Sequence, residues 1–294
     1  MILSVSRRTD IPAFFGEWFI NRLQDGFVCV RNPFNKNMVS KIKLNAKDVD
    51  CIVFWTKDAT NFINYLPSID ELGYKYYFQY TITPYDKEIE RNLKDKNELI
   101  DNFINLSKKI GKEKVVWRYD PILIAKGISL DWHIKQFENL CKELSGYTNK
   151  VVISFLDEYK KLDKSKIKTL TYDEMQRIGK VFAKIASNYG LIIQTCAESI
   201  DIDGVIRGAC IDKTLIEQIC GYQLNVKKDK TQREECLCSQ SVDIGEYDTC
   251  CYFCEYCYAN NNKINIKNKF NQHNKNSPLL VGEILPTDKI YERK

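Results

Sequence analysis

Three cysteines spaced C-x-x-x-C-x-x-C, at Cys250, Cys254 and Cys257 in the run CCYFCEYCYAN, offer three thiolates from one short loop. Thiolates suit zinc and iron–sulfur clusters alike, so ligand type does not choose between them. Three is the count that leaves one iron of a cubane [4Fe-4S] cluster open, and an open iron can bind a substrate or a cofactor. Cys236 and Cys238 precede the triad and Cys251 adjoins it, so positions 236 to 257 carry six of the chain's twelve cysteines. Either Cys236 or Cys238 as a fourth ligand would close the cluster and leave an electron carrier. A structural zinc ion with four cysteine ligands competes, although such sites favour C-x-x-C pairs at both ends.

The aromatic Tyr256 before the last cysteine and Tyr258-Ala259 after it make this segment resemble the radical S-adenosylmethionine enzymes over eight residues. The resemblance implies that the open iron binds the amino and carboxylate groups of S-adenosylmethionine, that Tyr256 and Thr56 contact the cofactor, and that an electron donor such as flavodoxin or ferredoxin is a partner. Those enzymes carry the motif near the N-terminus, whereas here it lies near the C-terminus. At the end of the second strand they commonly place a Gly-Gly-Glu-like stretch, where this chain reads Trp55-Thr56-Lys57. Either other strand ends grip the cofactor, or the cluster binds none.

A chain of 294 residues with 44% hydrophobic content can bury one large core. The opening MILSVSRRTD has no signal-peptide pattern, and no apolar run reaches membrane-spanning length, so a cytoplasmic protein without a membrane partner is expected. In that reducing compartment cysteine clusters read as metal or redox sites. Cys29, Cys51, Cys141, Cys196, Cys210 and Cys220 stand among apolar residues, and most of them read as small buried hydrophobes. A net charge of +5 and a pI near 8.5 permit a nucleic-acid partner without calling for one. With only His133 and His273 present, a His-ligated zinc hydrolase is poorly supported, and His133 reads as a surface or core-edge residue.

Apolar runs of strand length begin at Ile2, Cys51, Lys75, Lys114, Lys150 and Leu191, and their near-continuous hydrophobicity is that of buried parallel strands. Between them lie helical patterns: Leu99, Phe103, Leu106 and Ile110 form one stripe; Ser129 opens a helix carrying Ile134, Phe137, Leu140 and Cys141; Thr171-x-x-Glu174 is a capping box. The predicted fold is therefore α/β, a partial or complete (β/α) TIM-like barrel with as many as two strands missed. Residues 27–44 read as an inserted hairpin. The expected boundaries are a barrel over 1–220, a cysteine-rich iron–sulfur module over 221–262 and a C-terminal tail over 263–294, its Asn- and Lys-rich part a solvated loop.

In such barrels chemistry sits where strands end. Lys57, Arg118, Asp120, Asp157 and Glu198 fall there and are the candidates for polar contacts to a substrate that the sequence does not name. Taken singly each has a plain alternative, such as an Arg118–Asp120 ion pair, but as a ring they suit a polar pocket. A radical mechanism further requires the open iron to face that mouth.

The segments RRTDIPAF, VRNPFN, VDCIVFWTK, VVWRYDPI, ISFLDEY, CAES, GACID, CLCSQSVDIGEYDTC, CEYCYAN and SPLLVGE together resemble the bacterial family called domain of unknown function 1848. That resemblance spans nearly the whole chain. It implies a barrel followed by a C-terminal cysteine cluster similar to that of radical S-adenosylmethionine enzymes, with Cys236, Cys238 and the triad in the family pattern. Spore photoproduct lyase-like proteins are similar at a greater distance, through the C-x-Y-C-Y ending.

Overall fold

Apolar residues in unbroken runs need cover on both faces, and here they become parallel strands flanked by helices. The computed structural model describes residues 1–293. In chain order the first half contains β1 (Ile2–Val5), α1 (Ile11–Phe14), α2 (Gly16–Asp25), β2 (Phe27–Arg31), β3 (Met38–Lys43), β4 (Cys51–Thr56), α3 (Leu66–Glu71), β5 (Tyr76–Thr81) and α4 (Lys96–Ile110). There follow β6 (Val115–Ile122), β7 (Ile124–Ala125), α5 (Leu130–Leu144), β8 (Lys150–Phe155), β9 (Ile167–Lys168), α6 (Tyr172–Asn188), β10 (Ile192–Cys196), β11 (Ile206–Gly208) and α7 (Lys213–Cys220). The chain ends with β12 (Val242–Asp243), α8 (Lys263–Asn271) and β13 (Lys289–Arg293).

Eight strands form one sheet in the order β11-β10-β8-β6-β5-β4-β1-β12. The pairings β1–β4, β1–β12, β5–β6, β6–β8, β8–β10 and β10–β11 are parallel. The six apolar runs are six of these strands. The other two, β11 and β12, are only three and two residues long. Among the described residues no pairing of β11 with β12 is present, and the established architecture is α/β with a large parallel sheet.

The chain divides into two compact units, one of residues 1–77, 241–253 and 257–294, the other of residues 78–240 and 254–256. In the first, Phe54 of β4 meets Phe19 and Phe62 edge-on at 5.5 and 4.9 Å between ring centres. The expected hairpin is present as antiparallel β2 and β3, and β13 adds to β3 in parallel. The Asn- and Lys-rich tail is not the loop its composition suggests. It forms α8, capped by the Asn262 side chain on the Ile264 amide, with Ile266 its one buried residue.

In the second unit the predicted helices α4, α5 and α6 start at Asp95, Ser129 and Thr171, each side chain accepting a backbone amide of the first turn, and the Thr171–Glu174 capping box is complete. Their apolar stripes cover the strands: Trp117 of β6 stacks on Phe137 of α5, which stacks on Phe182 of α6 at 3.8 Å. His133 is not at an edge. It is fully buried on α5, bonded at Nδ1 to the Tyr119 hydroxyl and at Nε2 to the Leu123 carbonyl, 2.7 Å each. Burial lowers its pKa to about 4, so it is neutral, its Nε2–H donating to the carbonyl and its Nδ1 accepting from Tyr119.

Candidate metal centre and polar cluster

Parallel strands deliver their C-terminal ends to one edge, and in the second unit that edge is polar. Arg118 and Asp120 lie in the middle and second half of β6, Ser154 lies near the end of β8, and Cys196 ends β10 with Glu198 two residues on. The buried Arg118 guanidinium donates to Asp120, which also accepts the Ser154 hydroxyl. Glu198 accepts the Phe155 amide at 2.8 Å. Burial pushes its carboxyl up to about 7, assisted by the nearby charges of Asp157 and Asp120. Asp157 is exposed and holds Arg233 in a two-pronged ion pair. The structure thus brings together Arg118, Asp120 and Glu198, with Asp157 beside them on the solvent side.

Against this cluster lie cysteines whose grouping the sequence hides. The sulfurs of Cys196, Cys210 and Cys238 are all within 4.8 Å of one another, and those of Cys196 and Cys210 are 2.6 Å apart, beyond the ~2.05 Å of a disulfide. Cys210 and Cys238 are buried, and Cys196 is half-buried. The Arg118 guanidinium donates to the Cys210 sulfur, and the Ile211 amide donates to the Cys238 sulfur at 3.4 Å. Sulfur–sulfur hydrogen bonding with Cys196 first, then with Cys210 and Cys236, lowers the pKa of Cys238. Burial drives Cys210 up to about 12. Cys196 and Cys210 are therefore more than small core hydrophobes.

Backbone placement makes this approach possible. Gln79 donates to the Cys210 carbonyl at 2.7 Å and Gln194 to the Ala209 carbonyl at 3.1 Å, clamping the turn after β11. A Cβ at Gly208 would meet the Gln194 amide 2.4 Å away, so glycine is what lets the turn come this close.

Of the motif loop, residues 254–256 belong to the second unit. Tyr256 is buried in an apolar cluster with Tyr85, Ile89, Leu123, Leu156 and Ile167, against which Cys254 packs. Its hydroxyl donates to Glu90, its carbonyl accepts from Tyr159, and the Glu255 amide donates to the Ile89 carbonyl at 2.9 Å. Cys250 and Cys257 belong to the first unit and, like Cys254, are half-buried. In the same unit Thr56 is buried at the end of β4. Its hydroxyl donates to Asp10 at 3.1 Å, and the Lys57 amide donates to the same carboxylate at 2.7 Å. Asp10 also accepts the Ala13 amide as the cap of α1, and burial raises its carboxyl to about 7.

A family model described as a domain of unknown function, DUF1848, matches residues 2–259. The chain belongs to that family. The DUF1848 match takes in both the Cys196, Cys210 and Cys238 group and the C-x-x-x-C-x-x-C loop, and leaves α8 and β13 outside. No curated protein matches the sequence. The solved structure of a proposed alpha-L-fucosidase from Bacteroides thetaiotaomicron is similar over 61% of this DUF1848 chain and 76% of that one, at 16% identity and a TM-score of 0.27, a likeness that carries no functional argument. No described helix is long and apolar enough to cross a membrane.

Proposed function

We propose that this DUF1848 protein is a radical S-adenosylmethionine-type iron–sulfur enzyme whose [4Fe-4S] cluster is held by Cys250, Cys254 and Cys257. The observation that carries the reading is the spacing of three half-buried cysteines, none in a disulfide, around an anchored Tyr256. Cys250, Cys254 and Cys257 would hold such a cluster with one iron open for the cofactor, and when bound and reduced it would supply the electron for reductive cleavage of S-adenosylmethionine. The parallel sheet offers strand ends on which polar residues can be set around a substrate. The residues' own tasks follow from their environments. Arg118 offers a fixed cationic fork, and Asp120 is oriented by Arg118 and Ser154. Glu198, with a carboxyl near pH 7, holds or yields a proton beside a bound substrate. Asp157 positions Arg233 at the solvent side, Thr56 and Lys57 fix Asp10, and Tyr256 fixes the loop between Cys254 and Cys257.

The test is anaerobic reconstitution with iron and sulfide, reduction with dithionite or with flavodoxin, and chromatography for 5′-deoxyadenosine after addition of S-adenosylmethionine. Formation that disappears in Cys254→Ala supports the reading. A brown protein that forms none would instead be an electron carrier, and a colourless zinc protein a metal-stabilised binding module.

A further inference from the structure

We propose that Cys196, Cys210 and Cys238 hold a single soft divalent ion of the zinc class, at a site that uses none of the cysteines of the C-x-x-x-C-x-x-C loop. Four-coordinate zinc with Zn–S bonds of ~2.3 Å sets its sulfurs ~3.8 Å apart. Every sulfur lies within 4.8 Å of the others, close enough to share one ion, and the Cys196–Cys210 pair, 2.6 Å apart, opens toward that spacing when the ion enters. A cubane bonds each thiolate to a different iron and needs its sulfurs spread more widely.

The surroundings are those of ligands held in place for a cation. The three cysteines come from different segments: the end of β10, the turn after β11, and the stretch that leads to β12. Side chains from β5 and β10 clamp the carbonyls of the middle segment. A backbone amide aims at the Cys238 sulfur and a guanidinium at the Cys210 sulfur, the outer hydrogen bonds that orient metal-bound thiolates. Three thiolates and a divalent ion leave one negative charge, and the Arg118 guanidinium, which donates to both the Cys210 sulfur and Asp120, lies beside it. On loading, the protons that the three cysteines still carry pass to solvent, and the ion ties residues 196, 210 and 238 into one cross-link.

The experiment uses the full chain with Cys250, Cys254 and Cys257 all changed to alanine, so that no cubane contributes metal. Purified without oxygen, it is expected to carry one zinc or ferrous ion per chain and no acid-labile sulfide, and the further change Cys210→Ser should remove that ion. Cobalt exchanged into the site should give the sulfur-to-cobalt charge-transfer band of a thiolate site. Should the triple variant not fold, the unaltered chain answers by alkylation and mass spectrometry, with Cys196, Cys210 and Cys238 protected until a strong chelator is added. A metal-free triple variant with native circular dichroism overturns the proposal. So does labelling of the three thiols that ignores the chelator, or recovery of Cys196 and Cys210 as a disulfide.

Discussion

Tyr256 donates its phenolic proton to Glu90, a carboxylate only 1% exposed to solvent. Glu90 also accepts the Thr83 hydroxyl at 2.9 Å and pairs with Lys96, so the motif tyrosine completes the solvation of a buried charge. The backbone on either side is tied down as well, through the bridge between Glu90 and Cys254 and the bond from Glu255 to Ile89. An aromatic residue to which the resemblance assigns cofactor contact thus has a further task, which is to hold the loop that carries Cys254.

Removing that proton donor leaves Glu90 short of one partner where water does not reach. Tyr256→Phe should cost roughly 1–3 kcal/mol in guanidinium unfolding, the penalty for an unsatisfied buried polar group. Glu90→Gln in the same background should recover part of the loss, because an uncharged amide needs less solvation. A variant that unfolds with the unaltered chain's midpoint and slope would mean that the hydrogen bond contributes nothing.

His133 gives an acid-side signature. Its pKa falls from 6.5 in the unfolded chain to about 4 in the fold, so the stability it contributes is present above pH 6.5 and is lost as pH drops through 4. At 1.36 kcal/mol per unit this is worth up to roughly 3 kcal/mol. His133→Gln should flatten the stability profile between about pH 6.5 and 4 relative to the unaltered protein. Parallel profiles for the two proteins would show that the imidazole is not held neutral.

How much of this was legible depends on the length of the signal. Strands such as β4 and β8 announce themselves as apolar runs, and α6 by its capping box and stripe. The strands β11 and β12 do not, because Ile206-Arg207-Gly208 is mostly exposed and Val242-Asp243 is too short to show a pattern. The helix α8 buries one side chain, so it lacks the stripe that would separate it from a loop. The polar strand ends Arg118, Asp120 and Glu198 are readable as a group, since each follows an apolar run. The grouping of Cys196, Cys210 and Cys238 is not readable, because the three lie far apart in sequence and meet only through the parallel order of the strands. The available hint is that Cys196 sits at the polar end of a strand beside Glu198, an odd place for a core hydrophobe.

Asp10 should give the opposite pH dependence. Its carboxyl titrates near 3.8 in the unfolded chain and about 7 in the fold, with burial outweighing the three hydrogen bonds that favour the charged form. A raised carboxyl stabilises the fold fully below pH 3.8, and that contribution is lost as pH rises through 7, by roughly 4 kcal/mol at 1.36 kcal/mol per unit. Asp10→Asn has nothing to ionise. The difference in unfolding free energy between the two proteins should therefore shift with pH between about 4 and 7 and level off above. A pH-independent difference would place the Asp10 titration outside this window.

The short strand β12 is pinned to β1 by one side chain, and this makes its position testable. Asp243 accepts the Ser4 hydroxyl and the Arg7 amide on one oxygen, at 2.7 and 2.8 Å, and the Ser6 hydroxyl and the Gly245 amide on the other, at 2.7 and 3.0 Å. The register places Leu3 opposite Val242 and Ser4 opposite Asp243. Two residues later the chain passes so close to Ser6 that a Cβ on Gly245 would lie 1.9 Å from its hydroxyl oxygen and 2.6 Å from its Cβ. Nothing about the backbone angle of Gly245 demands glycine; the contact does. Gly245→Ala should then destabilise the protein by about 1–3 kcal/mol through overpacking. Because the collision is with Ser6 alone at that range, the penalty should shrink in a Ser6→Gly background, with a coupling of about 0.5–3 kcal/mol, the range for residues in contact. Equal penalties in both backgrounds would show that Ser6 does not face Gly245, and the pairing of β12 with β1 would lose its support.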